Sequence, residues 1–88
     1  MKYQIVFKRK IEKALKALPE NIKDLFFILV SDMKESGVLQ PGWKNFSKLG
    51  NNKYHCHLTY SYVACWELKD NKITIEVYYV GSRENAPY

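Results

Sequence analysis

The spacing of apolar residues along the chain changes twice, and this predicts a strand, two helices and then three more strands. A short apolar run near the start precedes a segment in which apolar side chains recur every three or four positions, with lysine and arginine between them. A second helical pattern follows, and beyond residue 52 the period becomes that of strands. The predicted elements are a strand at 3–7, helices at 8–18 and 20–36, and strands at 53–60, 62–68 and 72–80.

Proline and glycine residues mark the boundaries of these elements. Pro19 separates the two helices, because a proline disfavours helical conformation at the residue before it. Gly37 suits the position that follows a helix. The segment 38–52 contains the turn signals Pro41-Gly42 and Gly50-Asn51-Asn52, so it is predicted to be a loop.

The apolar residues also predict which surfaces are buried. The second helix is expected to be mostly buried, since Phe27, Ile28 and Val30 widen its apolar stripe. The strand at 53–60 has an apolar face and a polar face. The apolar face holds Tyr54, Cys56, Leu58 and Tyr60, and the polar face, expected to be wet, holds His55, His57 and Thr59.

These elements predict one α+β domain, residues 1–88, of order βααβββ. The helical hairpin would pack on one face of a mainly antiparallel four-stranded sheet. The 88 residues are 47% apolar, which is enough for one modest core. The net charge of +5 suits a polyanionic partner or an acidic protein, and it suits simple solubility equally well.

The sequence also bears on location. It shows no secretory signal and no apolar run approaching the roughly 20 residues that a membrane span needs, so no membrane partner is expected. Cys56 and Cys65 are then expected to be reduced thiols in the cytoplasm.

His55 and His57 are the residues best suited to proton transfer near neutral pH. Two positions apart on a strand, they project from the same face at about 7 Å along it. One could remove a proton from an RNA 2′-hydroxyl while the other protonates the departing 5′-oxygen. They could also be plain strand histidines, one of them against Trp43. A zinc site is the rival, but Cys56 should point away and Cys65 could approach only with an unusual register.

The chain ends in a polar turn that carries further candidates. Arg83 could hold two phosphate oxygens and stabilise charge on phosphorus, or it could pair with Glu84 or Glu76. Tyr88 offers a ring for a base and a phenol for a phosphate, unless the terminus is frayed. Glu84 could act as a second general base, although such a residue is more often simply solvated.

Basic and aromatic residues alternate in and after the predicted loop. Such mixtures favour single-stranded nucleic acid, through phosphate contacts and base stacking. The alternative is a loop whose aromatic rings plug the core. The candidate RNA-binding residues are Trp43, Lys44, Lys48 and Lys53.

Several short features occur in a particular order along nearly the whole chain. After the early strand and the helical hairpin, a Leu49-Gly50 step leads into a strand with Tyr54 and Leu58, and the chain closes with the run Val80–Glu84. In this order the features resemble the RelE/ParE superfamily of small toxins from bacterial and archaeal toxin–antitoxin systems. In the branch that cleaves mRNA, the strand after the Leu-Gly step carries basic residues at alternate positions, which correspond here to the two histidines.

The resemblance implies a toxin that cleaves mRNA on the ribosome by 2′-hydroxyl attack, without a metal or organic cofactor. His55 and His57 would share the base and acid roles, Arg83 would stabilise the transition state, and Tyr88, one residue closer than in the family pattern, would stack or orient the substrate. A cognate antitoxin would wrap the basic surface, and the chain would be a monomer alone or part of a toxin–antitoxin hetero-oligomer.

One departure from the family pattern leaves other functions open. An arginine that the family carries on the next strand is absent from residues 61–68, SYVACWEL. A non-catalytic inhibitor of DNA gyrase, as in the ParE branch, therefore remains an alternative. A degenerate RNA-binding module is another.

Overall fold

The computed structural model describes residues 2–88, so residue 1 of the predicted domain lies outside the described residues. Both helices lie close to the predicted positions, and the turn between the last two strands is confirmed. A short 3₁₀ helix, Arg83–Asn85, follows the last strand. The elements are β1 (Gln4–Phe7), α1 (Arg9–Ala17), α2 (Glu20–Ser36), β2 (Lys44–Gly50), β3 (Lys53–His57), β4 (Tyr62–Leu68) and β5 (Thr74–Ser82).

The predicted α+β class is confirmed, but the sheet is larger than predicted. Within residues 2–88 it has five strands in the order β1-β5-β4-β3-β2, where four were expected. β1 pairs in parallel with β5, and the other neighbours are antiparallel. The extra strand is β2, the second strand in the chain, which lies in the segment 38–52 that the turn signals predict to be a loop.

The missed strand, β2, is an edge strand with an irregular register. Its register against β3 shifts between Lys44 and Ser47 and again between Lys48 and Gly50. Asn45 has a left-handed φ of 52°, which breaks the regular alternation. The two apolar residues of the strand, Phe46 and Leu49, are three positions apart in the sequence, and this spacing does not indicate a strand.

The core lies between the helices and one face of the sheet, as predicted. Phe26, Leu29 and Met33 of α2 are fully buried against that face, together with Trp66 and Ile75. The prediction that α2 is mostly buried is wrong for its outer side. Phe27 and Ile28 are 50% and 52% exposed, because α2 has the sheet on one side only. No described helix is long and apolar enough to cross a bilayer.

The alternation of β5 changes at a bulge, which the sequence pattern did not predict. Ile75 and Val77 face the core, and regular strand alternation would place Tyr79 beside them. The register against β4 shifts there, and Val80 is the next residue in the core. Side chains after the bulge therefore occupy the opposite faces from those that continued alternation would give them. The sheet face away from the helices is called the outer face below.

Candidate active site

β3 places two imidazoles together on the outer face. His55 and His57 lie two residues apart in the strand, and their ring centroids are 5.8 Å apart. Tyr54 and Cys56 alternate with them and belong to the core. The strand ends at His57, because residues 58–61 turn back into β4, with the Leu58 amide donating to the Tyr62 carbonyl. The predicted side-by-side arrangement of the two imidazoles is confirmed.

The expectation that these histidines are wet is wrong. His55 is only 7% exposed and His57 only 8%. The ring of Tyr88 lies 4.4 Å from the His55 ring, centroid to centroid, and covers it. Tyr88 itself is 55% exposed. The histidines are thus covered by side chains, without a further layer of helices or strands.

Two side chains of β2 hold the imidazoles from the side. Ser47 Oγ is 3.1 Å from His55 Nδ1, and Asn45 Nδ2 is 3.5 Å from His57 Nδ1. Among residues 2–88, every fully buried side-chain N or O atom has a hydrogen-bond partner. The Nε2 atoms of His55 and His57 have no such partner among these residues, because the hydrogen bonds of both rings involve Nδ1. Each Nε2 therefore keeps some accessible surface. The Nε2 atoms are the ring nitrogens available to a substrate.

The surroundings favour neutral imidazoles. Burial lowers the pKa of His55, and the neighbouring His57 lowers it further. Burial also lowers the pKa of His57, with an added effect from the Arg83 guanidinium. Both pKa values then lie below the ordinary 6.5. Near neutral pH each ring can accept a proton, and once protonated it is a stronger acid than an ordinary imidazolium.

Arg83 begins the 3₁₀ helix after β5 and lies at the His57 end of the site. Its amide donates to the Ser61 carbonyl at 2.8 Å, which joins it to the β3–β4 turn. Its Cζ is 4.7 Å from the centroid of the Tyr60 ring. No carboxylate of the described residues is within ion-pair distance of it, so the expected alternatives of Glu84 and Glu76 are not formed.

The four candidate RNA-binding residues separate into two pairs. Lys44 lies opposite His57 in the sheet, and Lys53 precedes His55 by two residues, so both belong to the outer face. Lys48 lies opposite Tyr54, on the face toward the helices. Trp43 packs against the core and donates from Nε1 to Asp32 Oδ2 at 2.9 Å. Lys44 and Lys53 therefore lie on the same sheet face as the histidines, whereas Lys48 and Trp43 lie on the side toward the helices.

The remaining candidates have simpler surroundings. Glu84 is exposed and forms no hydrogen bond or ion pair with another described side chain. Cys65 lies opposite His55 in the sheet, where a zinc ligand would be needed. However, among residues 2–88 no three His, Cys, Asp or Glu side chains are grouped so as to hold a metal ion. Burial raises the pKa of the Cys65 thiol to about 12, and it stays protonated.

The sequence pattern missed three residues of this site. Ser47 and Asn45 lie in the segment predicted to be a loop, and their contacts with the Nδ1 atoms of His55 and His57 show that they face the histidines. Tyr60 was placed on the apolar face of a longer strand, but it is 74% exposed in the turn after β3. The residues 58–61 contain no glycine or proline that would have indicated this turn.

Solved toxin structures share this fold. No family model and no curated protein matches the sequence. The archaeal RelE–RelB complex from Pyrococcus horikoshii OT3 has a chain that matches with a TM-score of 0.76 and 17% identity, over 98% of this chain and 100% of that one. The isolated E. coli RelE toxin matches with a TM-score of 0.74 and 20% identity, over 97% of this chain and 88% of that one. A metal-bound toxin from Helicobacter pylori matches with a TM-score of 0.72 and 20% identity, over 93% of this chain and 96% of that one. The chain therefore has a RelE-like fold.

Proposed function

We propose that this protein is the toxin of a toxin–antitoxin system and that it is a metal-independent endoribonuclease acting on mRNA. The observation that carries the proposal is the pair of neighbouring imidazoles next to an arginine that has no carboxylate partner among the described residues. A histidine pair with an uncompensated guanidinium suits an anionic substrate that must gain and lose protons. The RelE-like fold supports the same function.

In the proposed reaction, the 2′-hydroxyl of a ribose attacks the adjacent phosphorus. One imidazole accepts the hydroxyl proton at Nε2, and the other, protonated beforehand, donates a proton to the departing 5′-oxygen. The products are a 2′,3′-cyclic phosphate and a free 5′-hydroxyl. Because both Nδ1 atoms are held by β2 side chains, each ring would act through its Nε2 atom. Asn45 Nδ2 can only donate, so His57 Nδ1 accepts and neutral His57 carries its proton on Nε2, which suits the acid role. The Ser47 hydroxyl can accept from His55 Nδ1, which leaves His55 Nε2 free to act as the base.

The neighbouring residues have roles that follow from their charge and position. Arg83 would donate hydrogen bonds to the non-bridging phosphate oxygens as negative charge builds up on them. Lys44 and Lys53, on the same face, would attract the phosphates on either side. Burial raises the pKa of Tyr88, so its phenol stays protonated and can donate to a phosphate, while its ring can stack on a base.

The partners proposed are mRNA on the ribosome and a cognate antitoxin. The P. horikoshii and Methanococcus jannaschii matches are complexes of RelE with RelB. The charge of +5 favours an acidic or amphipathic antitoxin segment laid over the basic surface. Expression of the chain alone should then arrest growth, and coexpression of its antitoxin should restore it.

Arg83→Ala is the sharpest test of the nuclease. We expect wild type to cut a ribosome-bound message in a primer-extension assay, and the variant to lose about 3 kcal/mol of transition-state stabilisation, a hundredfold or more in rate. Arg83→Lys should recover only part of the rate, because an ammonium cannot form the two-pronged contact. Arg9→Ala is the matched control, since Arg9 is the other arginine and is exposed on α1.

Circular dichroism should show that all three variants are folded, because both arginines lie outside the core. Cleavage by folded Arg83→Ala at the wild-type rate would exclude the phosphate-binding role. A wild-type protein that cuts no RNA on or off the ribosome, but blocks supercoiling by DNA gyrase, would replace the nuclease with a binding inhibitor.

A further inference from the structure

The turn between β3 and β4 carries an exposed aromatic residue against the arginine of the site. Tyr60 is 74% exposed, and its ring centroid is 4.7 Å from Arg83 Cζ. A single exposed tyrosine needs no explanation by itself. Here, however, it is the side chain found against a guanidinium that no described carboxylate neutralises.

Backbone hydrogen bonds fix both partners of this contact. The turn is closed by the Leu58 and Thr59 amides, which donate to the Tyr62 carbonyl at 2.8 and 3.2 Å. The Arg83 amide donates to the Ser61 carbonyl at 2.8 Å. The segment after β5 is therefore attached to the same turn that presents Tyr60. The side chains of Tyr60 and Arg83 start from two backbone positions held next to each other.

An aromatic ring differs from a carboxylate as a neighbour of a catalytic arginine. A carboxylate would hold the guanidinium, but it would also occupy its N–H donors and cancel its charge. A ring attracts the cation through its electron-rich face and takes no N–H donor. The donors and the full charge then remain for a phosphate.

We infer that Tyr60 is a positioning residue for Arg83, holding the guanidinium beside His57 while leaving its charge and its N–H donors free for the substrate. Its effect on cleavage rests on the function proposed above, whereas its hold on Arg83 does not. An exposed cation–π contact favours the arrangement in which the guanidinium lies against the ring by about 2- to 5-fold in population. The expected effect of Tyr60 on the cleavage rate is of the same size.

The first readout is the pKa of His57, measured by NMR titration of the protein alone. The charged or titratable groups around His57 are His55 on the same strand, Lys44 on β2 and Arg83. Arg83→Ala should raise the pKa of His57 by removing a nearby positive charge. Tyr60→Leu should raise it in the same direction, toward but not beyond the Arg83→Ala value, because the released guanidinium spends less time nearby.

Two controls separate positioning from other effects of Tyr60. Tyr60→Phe keeps the ring and should leave the pKa of His57 at its wild-type value. Tyr60→Leu added to Arg83→Ala should produce no further change. The inference is overturned if Tyr60→Leu leaves the pKa of His57 unchanged while Arg83→Ala raises it. It is also overturned if Arg83→Ala itself has no effect, since the guanidinium would then not lie beside His57 in solution.

The second readout is the cleavage rate of the same four variants. Tyr60→Leu should lower kcat by about 2- to 5-fold with little change in KM, and Tyr60→Phe should restore it. In the Arg83→Ala background Tyr60→Leu should cost nothing more. An equal loss in both backgrounds would mean an independent role, such as base stacking, and would overturn the inference. If wild type cleaves no RNA, the proposed function fails, and the NMR titration still decides whether Tyr60 holds Arg83.

Discussion

Replacing Trp43 with phenylalanine tests how the edge strand β2 is held in place. The Trp43 indole donates to Asp32 Oδ2 of α2 at 2.9 Å, and the ring packs against the core just before β2 begins. Trp43→Phe keeps most of the apolar ring but removes this donor. β2 also supplies the side chains beside both histidines, so the variant shows whether the site keeps its activity when this attachment is weakened.

The expected cost follows from the kind of bond that is lost. A hydrogen bond to a charged acceptor contributes about 1.5–3 kcal/mol. We take the low end, about 1.5 kcal/mol, because both side chains are only half-buried. For a domain of 88 residues, that loss in the free energy of unfolding lowers Tm by about 6–12 °C.

The measurement is a double-mutant cycle in urea, with Trp43→Phe, Asp32→Ala and the double variant. If the indole and carboxylate interact as described, the coupling energy should be about 1 kcal/mol or more. Additive effects of the two substitutions would refute the hydrogen bond as the attachment of β2. Cleavage by folded Trp43→Phe should stay within about 2-fold of wild type, because the ring lies on the helix side of the sheet.

Two further predictions concern the titration of the site and the end of α2. Both imidazole pKa values lie below 6.5, and the mechanism needs one ring protonated and the other neutral. A plot of kcat/KM against pH should therefore peak below pH 6.5 and fall as the pH rises above it. A rate that climbs steadily from pH 6 to 9 would exclude the His55–His57 mechanism. Gly37→Ala should destabilise the fold by about 1 kcal/mol or more and lower Tm, because φ is +84° at Gly37 and an added Cβ would lie 2.8 Å from Tyr3 Cζ. Gly42→Ala is the control, since the space around Gly42 is open, and it should change Tm little.

The helical half of the fold could be predicted from sequence because its signals are local. The helical apolar period and the breaks at Pro19 and Gly37 are set by residues within a few positions of each other. They gave the second helix its observed bounds, Glu20–Ser36. The exposure of Phe27 and Ile28 could not be predicted in the same way, because it depends on which sides of α2 the sheet covers.

The candidate site was predictable only where one strand supplies it. Strand alternation was enough to put His55 and His57 on one face, since they are two residues apart. Their burial depends on Tyr88, more than 30 residues later, and on Ser47 of a strand that local pattern did not reveal. Tyr60 was misplaced because the end of β3 is set by backbone hydrogen bonds across the turn and not by a glycine or a proline.

The position of Arg83 shows how a single inserted residue can determine a site. His57, Val63 and Gly81 lie in one row across β3, β4 and β5, so the end of β5 lies two strands from His57. Continuous alternation from Ile75 and Val77 would have put residues 79, 81 and 83 on the face toward the helices. The bulge shifts the register by one residue, so Val80 enters the core and Gly81 takes the outer face with His57. The same shift carries Arg83, two residues further on, to the side of the sheet where its charge lowers the pKa of His57. The bulge in β5 is therefore as much a part of the candidate active site as the residues that would contact the phosphate.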